Sequence, residues 1–213
     1  MKICFIGTGL MGFPMAKNLL RKKLNLNIFS RTLKKAKPLE DFGGKIKLSL
    51  SEAVKDTDYV FTMLTDDDAV EKVLGNSEFL MNLKPSSTVV DMSSIKPKIA
   101  IKYGKLLREN NINFLDAPVS GGTIGAEEGS LAIMVGGDQK VYDSVLDVLK
   151  IMGNPTLVGP IGSGQISKLA NQIIVGVTIG AVAEAITLCE KAGVDGNKFI
   201  KALSGGFADG KIL

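Results

Sequence analysis

The sequence contains no histidine and only two cysteines, and both shortages limit the chemistry available to the chain. Without histidine there is no Ser-His or Cys-His nucleophilic pair, no histidine acid-base catalyst and no histidine-containing zinc site. Cys4 and Cys189 stand far apart in apolar segments. That placement predicts buried free thiols in a reducing compartment and favours a cytoplasmic location.

The sequence also lacks the features that would direct it to nucleic acid, a membrane or the secretory pathway. The net charge of +4 is a mild excess, and no lysine- and arginine-rich block is long enough for a nucleic-acid surface. The first residues enter an apolar strand directly, without a signal-peptide pattern. The longest uncharged run, Leu169–Ala183, is shorter than the roughly 20 apolar residues of a spanning helix, so we expect a buried helix and no membrane partner.

Short apolar runs alternate with helical patterns through residue 162. This alternation predicts an α/β fold, with a Rossmann-type, mostly parallel sheet covered by helices on both faces. After Gly164 no strand pattern remains, and the long helix Gly162–Ala192 is followed by a second helix that Asp195 caps. We therefore expect a nucleotide-binding domain at residues 1–162. Residues 163–213 are expected to form the long helix and the start of a truncated all-α domain.

The predicted elements have the following bounds. The strands are Lys2–Ile6, Asn25–Ser30, Tyr59–Leu64, Thr88–Met92, Asn113–Val119, Leu131–Val135 and Thr156–Val158. The helices are Leu10–Lys23, a segment from Thr32 to Phe42 capped by Thr32, a short helix capped by Ser51, Asp66–Leu74, Pro97–Glu109, Gln139–Met152, Gly162–Ala192 and Asn197–Leu203.

The segment GTGLMG at residues 7–12 fits the pattern G-x-G-x-x-G, and it follows a buried strand and opens a helix. Gly7 permits a tight turn, Gly9 lets the backbone approach a pyrophosphate, and Gly12 lets the helix pack on the strand. The helix N-terminus, with Leu10 and Met11, supplies N–H groups to the phosphates. The pattern predicts a dinucleotide cofactor. The alternative is a glycine-rich turn without a ligand.

The residues after the second strand bear on the choice of nucleotide. An NAD site usually has an acidic residue there, whereas this chain has Ser30, Arg31 and Thr32, followed by three lysines. An arginine with two hydroxyl groups suits a 2′-phosphate, so the sequence favours NADP (as NADPH) over NAD. The alternative is that Arg31 is an ordinary solvated surface residue.

Three further strand ends are candidates for ligand contacts, because ligands of open parallel sheets bind outside the carboxyl ends of the strands. Leu64 and Thr65 follow one strand, and the pair Ser93–Ser94 follows the next. Both pairs are equally plausible as helix-capping loops. The third end is the segment Ser120–Gly122, where a hydroxyl group and two glycine N–H groups can form a nest for a carboxylate.

The long helix carries the candidate catalytic group. Lys168, Asn171 and Gln172 stand at positions i, i+3 and i+4, so their side chains leave one face of the helix. A lysine and two amides on one surface can polarise and protonate a carbonyl oxygen. The alternative for Lys168 is a solvated lysine in the first turns of a helix.

Three motifs together resemble the β-hydroxyacid dehydrogenase family, which includes 3-hydroxyisobutyrate dehydrogenase and the reductases of tartronate, glyoxylate and succinic semialdehyde. GTGLMGFPMAKNL is similar to the family's cofactor signature, DAPVSGGTIGAEEGSLAIMVGG to its substrate-binding segment, and GSGQISKLANQIIVG to its catalytic segment. The likeness is greatest to the tartronate semialdehyde reductase branch. A more distant relative, 6-phosphogluconate dehydrogenase, is disfavoured because its catalytic segment carries a histidine.

The resemblance implies roles for these residues. Ser120, Gly121 and Gly122 would hold the substrate carboxylate, Lys168 would be the general acid for reduction and the base for oxidation, and Asn171 would orient the substrate. The implied reaction is hydride transfer between NADPH and a small semialdehyde acid. The family also implies further helices that carry much of the substrate pocket, beyond those this chain supplies.

Two other functions remain open at the sequence level. One is a truncated dinucleotide-binding module with little or no turnover, because the helical part of the substrate pocket is incomplete. The other is an assembly partner: Leu169, Ile173 and Val177 form an apolar helix face that needs covering, which predicts a homo-oligomer through the helical region. No metal site is expected.

Overall fold

The computed structural model describes residues 1–210, and the chain divides into two units, Met1–Lys168 and Leu169–Leu213. The final residues Lys211, Ile212 and Leu213, which belong to the predicted all-α segment, lie outside the described residues. The first unit contains every strand of the part described. The predicted α/β class, with a long helix after the sheet, is confirmed.

Within the described residues nine strands form one sheet in the order β3-β2-β1-β4-β5-β6-β8-β7, with β9 paired to β8. The strands from β3 to β6 in this order are parallel, whereas β8 runs antiparallel to β6 and β7. Their bounds are β1 Lys2–Ile6, β2 Asn25–Phe29, β3 Lys45–Ile46, β4 Tyr59–Thr62, β5 Thr88–Asp91, β6 Asn113–Asp116, β7 Val119–Ser120, β8 Leu131–Gly136 and β9 Gly153–Gly159.

Helices connect the strands and cover the sheet. Their bounds are α1 Gly12–Arg21, α2 Leu33–Ala36, α3 Leu50–Val54, α4 Asp67–Leu74, α5 Ser77–Asn82, α6 Pro97–Glu109, α7 Gly122–Glu128, α8 Gln139–Leu149, α9 Ser163–Lys191 and α10 Gly196–Leu203, with a 3₁₀ segment at Lys37–Phe42. The long helix and the helix capped by Asp195, whose carboxylate accepts the N–H of Lys198 at 2.9 Å, agree with the prediction.

The first unit has a hydrophobic core on each face of the sheet. In β1, Ile3 and Phe5 belong to one core cluster, whereas Cys4 and Ile6 belong to the other. Successive side chains of a strand point to opposite faces, so a continuous apolar strand contributes to both clusters. In agreement with this pattern, β1 lies inside the sheet, between β2 and β4.

Several predicted boundaries are wrong for local reasons. Ser49, not Ser51, is the N-cap of α3, since its hydroxyl accepts the N–H of Glu52 at 3.2 Å. Thr32 occupies an N-cap position but makes no side-chain capping bond. The predicted strand Asn113–Val119 is two strands, because Pro118 has no N–H group with which to continue the ladder.

The second unit consists of the rest of α9 and of α10. Its apolar side chains Leu169, Ile173 and Val177 are 53%, 68% and 69% exposed, so the expectation of a buried helix is wrong for the chain as described. By length and composition α9 also meets the requirements of a membrane span, a test that core helices of soluble proteins pass as well. Cys189 on the same helix is partly exposed, unlike the buried Cys4.

Candidate functional site

The glycine loop after β1 has the conformation that its sequence predicts. Gly7 has a φ of +98°, and a Cβ there would collide with the carbonyl oxygen of Met63. A Cβ on Gly12 would likewise collide with the carbonyl oxygen of Gly7, whereas a Cβ on Gly9 would have no protein atom within 4 Å. Gly7 and Gly12 are therefore required by close packing, and Gly9 leaves the backbone open on its outer side.

Leu10 and Met11 complete this loop. Leu10 is 85% exposed, and Met11 stands in the N-cap position of α1 without a side-chain capping bond. The N–H of Phe13 reaches the carbonyl oxygen of Gly9 at 3.0 Å, so the helix begins inside the loop. Its first N–H groups and the positive end of the helix dipole are available to an anion.

One buried polar atom in the loop has no partner among the described residues. Thr8 is 3% exposed, and its Oγ1 makes no hydrogen bond there. Such an orphan is unusual in a folded protein and marks the loop as a place where a ligand or water completes the structure.

The segment after β2 is the expected ribose-side contact. Ser30 is buried, whereas Arg31 and Thr32 are exposed. An acidic neighbour follows β4: hydrogen bonds from the Ala69 N–H and the Thr65 hydroxyl lower the pKa of Asp66, and the charge of Arg31 contributes to this lowering. The guanidinium of Arg31 thus lies near a carboxylate that the sequence prediction did not consider.

A groove of about 700 Å³ lies beside the glycine loop and brings several cations together. It is lined by Thr8, Gly9, Leu10, Phe13, Pro14, Lys17, Asn18, Arg21, Lys34, Lys35, Pro38 and Glu127. Four cationic side chains against one carboxylate make it an electropositive surface that favours anions. A larger depression, of about 810 Å³, lies at the amino ends of β4, β5 and β6, away from the loops that follow the parallel strands.

The strand ends after β4 and β5 are joined by hydrogen bonds. Ser93 is buried, and its hydroxyl donates to Asp91 Oδ1 at 2.6 Å and accepts the N–H of Leu64 at 2.9 Å. Ser94 is exposed, and Thr65 is exposed with its hydroxyl donating to Asp66. Of the Ser93–Ser94 pair, the buried Ser93 therefore serves the loop itself, and Ser94 is the one accessible to a ligand.

Two buried carboxylates lie side by side on β5 and β6. Asp91 and Asp116 are register partners, and both are fully buried. Burial raises the pKa of Asp91 to about 6, and the charge of Asp116 adds to the rise. The hydrogen bonds that Asp91 accepts from Ser93 and Thr62 act in the opposite direction and lower this pKa. Burial also raises the pKa of Asp116, against bonds from backbone N–H groups at the start of α9.

The candidate carboxylate nest lies in β7 and at the start of α7. Ser120 is partly buried and pairs with Ala132 of β8. Gly121 and Gly122 are exposed, with φ values of +139° and +62°. Both values are strained for other residues, so the chain uses glycine where the backbone turns from strand into helix.

The start of α9 is anchored to the sheet edge. Asp116 accepts the N–H of Gly162 at Oδ1, at 2.7 Å, and that of Gln165 at Oδ2, at 2.9 Å. Gly164 is required here, since a Cβ would lie 2.6 Å from the carbonyl oxygen of Asp116. Lys168 follows one turn after Gln165 and is partly buried, and burial lowers the pKa of its ammonium group.

Asn171 and Gln172 belong to the second unit and are joined to each other. The Nδ2 of Asn171 donates to Oε1 of Gln172 at 2.9 Å. Gln172 is exposed and Asn171 partly so. The amide of Gln172 therefore orients that of Asn171.

The structure adds residues that the sequence prediction missed. Asn18 of α1 donates to the carbonyl oxygen of Ala126 at 2.9 Å, which ties the helix after the glycine loop to α7. Gln165, Asp91 and Asp116 hold the sheet edge together, as described above. The signal for the two aspartates is a charged residue at the end of an apolar run, in VVD and NFLD.

Two protein-family models together match residues 2–213 of the chain. Residues 2–180 match the family described as the NAD binding domain of 6-phosphogluconate dehydrogenase. Residues 162–213 match the family described as the NAD-binding part of NADP-dependent 3-hydroxyisobutyrate dehydrogenase.

Individual relatives are similar over the full length of this chain. The 2-hydroxy-3-oxopropionate reductase of Escherichia coli strain K12 is 42% identical, over 100% of this chain and 73% of that protein. The probable 3-hydroxyisobutyrate dehydrogenase-like 2, mitochondrial, of Arabidopsis thaliana is 37% identical, over 100% and 71%. The structure of Mycobacterium tuberculosis 3-hydroxyisobutyrate dehydrogenase with L-serine superposes with a TM-score of 0.91 at 31% identity, over 100% of this chain and 72% of that one.

Proposed function

The chain belongs to the β-hydroxyacid dehydrogenase family of NAD(P)-dependent oxidoreductases, and on that premise we propose that it reduces a small semialdehyde acid with NADPH. The observation that carries the proposal is Lys168, a partly buried lysine on the helix anchored to the cofactor edge of the sheet. Because burial lowers the pKa of its ammonium group, this lysine gives up a proton more readily than a solvated one. Lys168 is then the general acid for reduction and the base for oxidation.

The cofactor-binding role rests on the glycine loop. Gly9 leaves room at the backbone, and the N-terminus of α1 at Leu10 and Met11 offers N–H groups to a pyrophosphate. The unpartnered Oγ1 of buried Thr8 in the same loop fits such a ligand. When bound, the nicotinamide supplies or accepts the hydride. The side chains of Leu64, Thr65 and Ser94 line the neighbouring strand ends and would complete the nucleotide site.

The preference for NADPH rests on charge. Arg31 is exposed next to the hydroxyl groups of Ser30 and Thr32, at the strand end where an NAD site places a carboxylate. The cations of the adjoining groove, including Lys34 and Lys35, add to the positive potential. A 2′-phosphate would be stabilised by this surface, whereas a bare ribose would not use it.

The substrate-binding role rests on residues 120–122. A hydroxyl group and two glycine N–H groups at one strand end suit a carboxylate. Lys168 would then protonate the developing alkoxide, with Asn171 orienting the substrate. Tartronate semialdehyde is the favoured substrate, supported by the 42% identity to the 2-hydroxy-3-oxopropionate reductase. The second candidate is oxidation of 3-hydroxyisobutyrate, supported by the structural match to a dehydrogenase of that name. Glyoxylate or succinic semialdehyde completes the class.

We also propose a nucleotide-binding domain at residues 1–162 and a helical segment at residues 163–213 that mediates assembly. The exposed apolar residues of α9, such as Ile173 and Val177, support a homo-oligomer through the helical region. A soluble, cytoplasmic enzyme without a nucleic-acid partner fits the composition. A dinucleotide-binding module with little turnover is the contrasting function, and Lys168 argues against it.

The test is consumption of NADPH. The protein is mixed with NADPH and tartronate, methylmalonate or succinic semialdehyde, and the loss of cofactor absorbance is followed beside Lys168→Ala. We expect turnover with at least one semialdehyde and a loss of about 10²- to 10⁴-fold in Lys168→Ala. Equal rates in both proteins would refute the role of Lys168, and tight NADPH binding without turnover would support the binding module.

A further inference from the structure

Gln165 is a buried amide in the first turn of α9, and both ends of its side chain are used. Its Nε2 donates to the carbonyl oxygen of Ser93 at 2.8 Å, and its Oε1 accepts the N–H of Ile95 at 3.1 Å. The residue is 1% exposed. It therefore fastens α9 to the loop between β5 and α6, the loop that contains Ser94.

We infer that Gln165 is a positioning residue, which sets Lys168 against the loop after β5. Lys168 follows Gln165 by three positions in the same helix, so a rotation or shift of the first turn moves the lysine with it. The inference rests on the proposed function of Lys168 as the proton donor. It adds the residue that determines where this donor stands.

The backbone of Gln165 is fixed independently of its side chain. Its N–H donates to Asp116 Oδ2, and the N–H of Gly162 donates to Oδ1 of the same carboxylate. The start of α9 therefore has a cap without the amide. Removal of the amide should leave the helix formed and alter how it sits on the loop.

The loop after β5 is also held without Gln165. The hydroxyl of Ser93 joins Asp91 to the N–H of Leu64, so the loop is bound to β5 and to the end of β4. The side chain of Gln165 then joins two parts that are each already ordered. A residue in this place contributes to the relative position of the two parts more than to the folding of either.

Such positioning matters for a reaction that needs a hydride and a proton at one carbonyl group. A displacement of about 1 Å in a reacting group can cost about 100-fold in rate. A bound nicotinamide would meet the strand ends that carry Leu64 and Ser94, and Lys168 comes from α9. The amide of Gln165 connects α9, which carries Lys168, to the loop after β5, which carries Ser94.

The test compares kcat in Gln165→Met, Lys168→Ala and the double variant. Methionine keeps the length of glutamine and removes both strong hydrogen bonds. We expect Gln165→Met to lower kcat by about 10- to 100-fold, with KM values changed far less. Because Gln165 acts through Lys168, the double variant should be no slower than Lys168→Ala alone. Losses that multiply in the double variant would overturn the inference.

Asn27→Leu is the matched control. Asn27 is also 1% exposed, and its Nδ2 donates to the carbonyl oxygen of Ala53 at 2.9 Å, a bond that joins β2 to α3. This variant loses a comparable buried bond, so it should lower the free energy of unfolding while kcat stays unchanged. A similar fall in kcat in Asn27→Leu would assign the Gln165→Met result to general loss of stability and would overturn the inference.

Gln165→Glu supplies a rescue experiment, which also serves if Gln165→Met does not fold. An ionised carboxylate accepts from Ile95 and repels the carbonyl oxygen of Ser93, whereas the protonated acid donates to that oxygen as the amide does. We expect its kcat relative to wild type to rise as the pH falls. A ratio that is constant with pH would contradict the positioning role.

A readout without turnover separates this inference from the proposed function. After isotope-labelled methylation of the lysines, the titration of Lys168 is followed by NMR in wild type and Gln165→Met. Since burial lowers the pKa of Lys168, a displaced helix turn should admit water and raise it. An unmoved titration would overturn the inference for Gln165. Full activity in Lys168→Ala would overturn the proposed function instead.

Discussion

The N–H of Gly162 donates to Oδ1 of Asp116 at 2.7 Å, and this bond joins the end of β6 to the start of α9 across 46 positions of sequence. Oδ2 of the same carboxylate accepts the N–H of Gln165. One side chain thus caps the helix that carries Lys168. The cap lies in the buried sheet edge, where water cannot replace it.

Replacement of Asp116 should therefore destabilise the first unit. In Asp116→Ala two buried N–H groups lose their acceptor, and we expect the free energy of unfolding to fall by about 2–4 kcal/mol. Asp116→Asn keeps one acceptor and removes a buried charge, so its loss should be smaller. Urea unfolding of the three proteins gives the comparison. Equal stability of wild type and Asp116→Ala would contradict the capping role.

The glycine loop allows folding and binding to be separated. Gly9→Ala adds a methyl group where no protein atom lies within 4 Å, so the protein should fold normally and bind NADPH at least about tenfold more weakly. Gly12→Ala would place Cβ against the carbonyl oxygen of Gly7, so it should lower the free energy of unfolding by about 1–3 kcal/mol. Cofactor titration and urea unfolding of both variants provide the measurements. Unaltered NADPH affinity in Gly9→Ala would show that the pyrophosphate does not bind against this loop.

Asp91 should make stability depend on pH. Its pKa in the folded chain, about 6, exceeds the value of about 3.9 expected in the unfolded chain. The folded state therefore binds the proton more tightly, and this contribution to stability is complete below about pH 4 and lost as the pH rises through 6. Relative to Asp91→Asn, the free energy of unfolding of wild type should fall by about 2 kcal/mol between pH 4 and pH 7.

The two proteins are compared by the slope of the free energy of unfolding against pH. Asparagine retains an acceptor for Thr62 and Ser93, and its amide changes the free energy of unfolding by an amount that does not depend on pH. Urea unfolding is measured at several pH values for both proteins. The prediction is wrong if the two stability curves run parallel from pH 4 to pH 7.

The parts of the candidate site that depend on local pattern can be read from the sequence. Gly7 and Gly12 are recognisable because a tight turn and a close helix contact leave no room for a side chain. The long helix and Lys168 follow from helical spacing in one continuous segment. These features need no knowledge of which strands are neighbours.

The parts missed depend on tertiary neighbours. Gln165 bonds to residues about 70 positions away, so its role becomes visible once β5, β6 and α9 meet at one edge. The hydroxyl of Ser93 makes hydrogen bonds with Asp91 and with the N–H of Leu64. The sequence around Ser93–Ser94 does not reveal these partners. The two-residue strands β3 and β7 are too short to give a periodic signal.

Arg31 should determine the choice between the two nicotinamide cofactors. Arg31→Asp replaces an exposed cation by an acceptor for ribose hydroxyls, so NADPH should bind about 10- to 100-fold more weakly while NADH binding holds or improves. Lys22→Asp makes the same charge change on an exposed residue at the end of α1 and serves as the control. Dissociation constants for both cofactors give the ratio. If the preference for NADPH over NADH is as large in Arg31→Asp as in wild type, Arg31 does not bind the 2′-phosphate.

The pH dependence of turnover should report Lys168. Because burial lowers its pKa below the ordinary lysine value, the ammonium form is lost at a lower pH than for a solvated lysine. The rate of semialdehyde reduction should therefore fall as the pH rises through this pKa, and the rate of hydroxyacid oxidation should rise over the same interval. Lys168→Arg keeps the charge but does not titrate in this range. Its residual activity should therefore show neither limb of the pH profile, that is, neither the fall in the reduction rate nor the rise in the oxidation rate. Persistence of either limb in Lys168→Arg would assign the titration to another group.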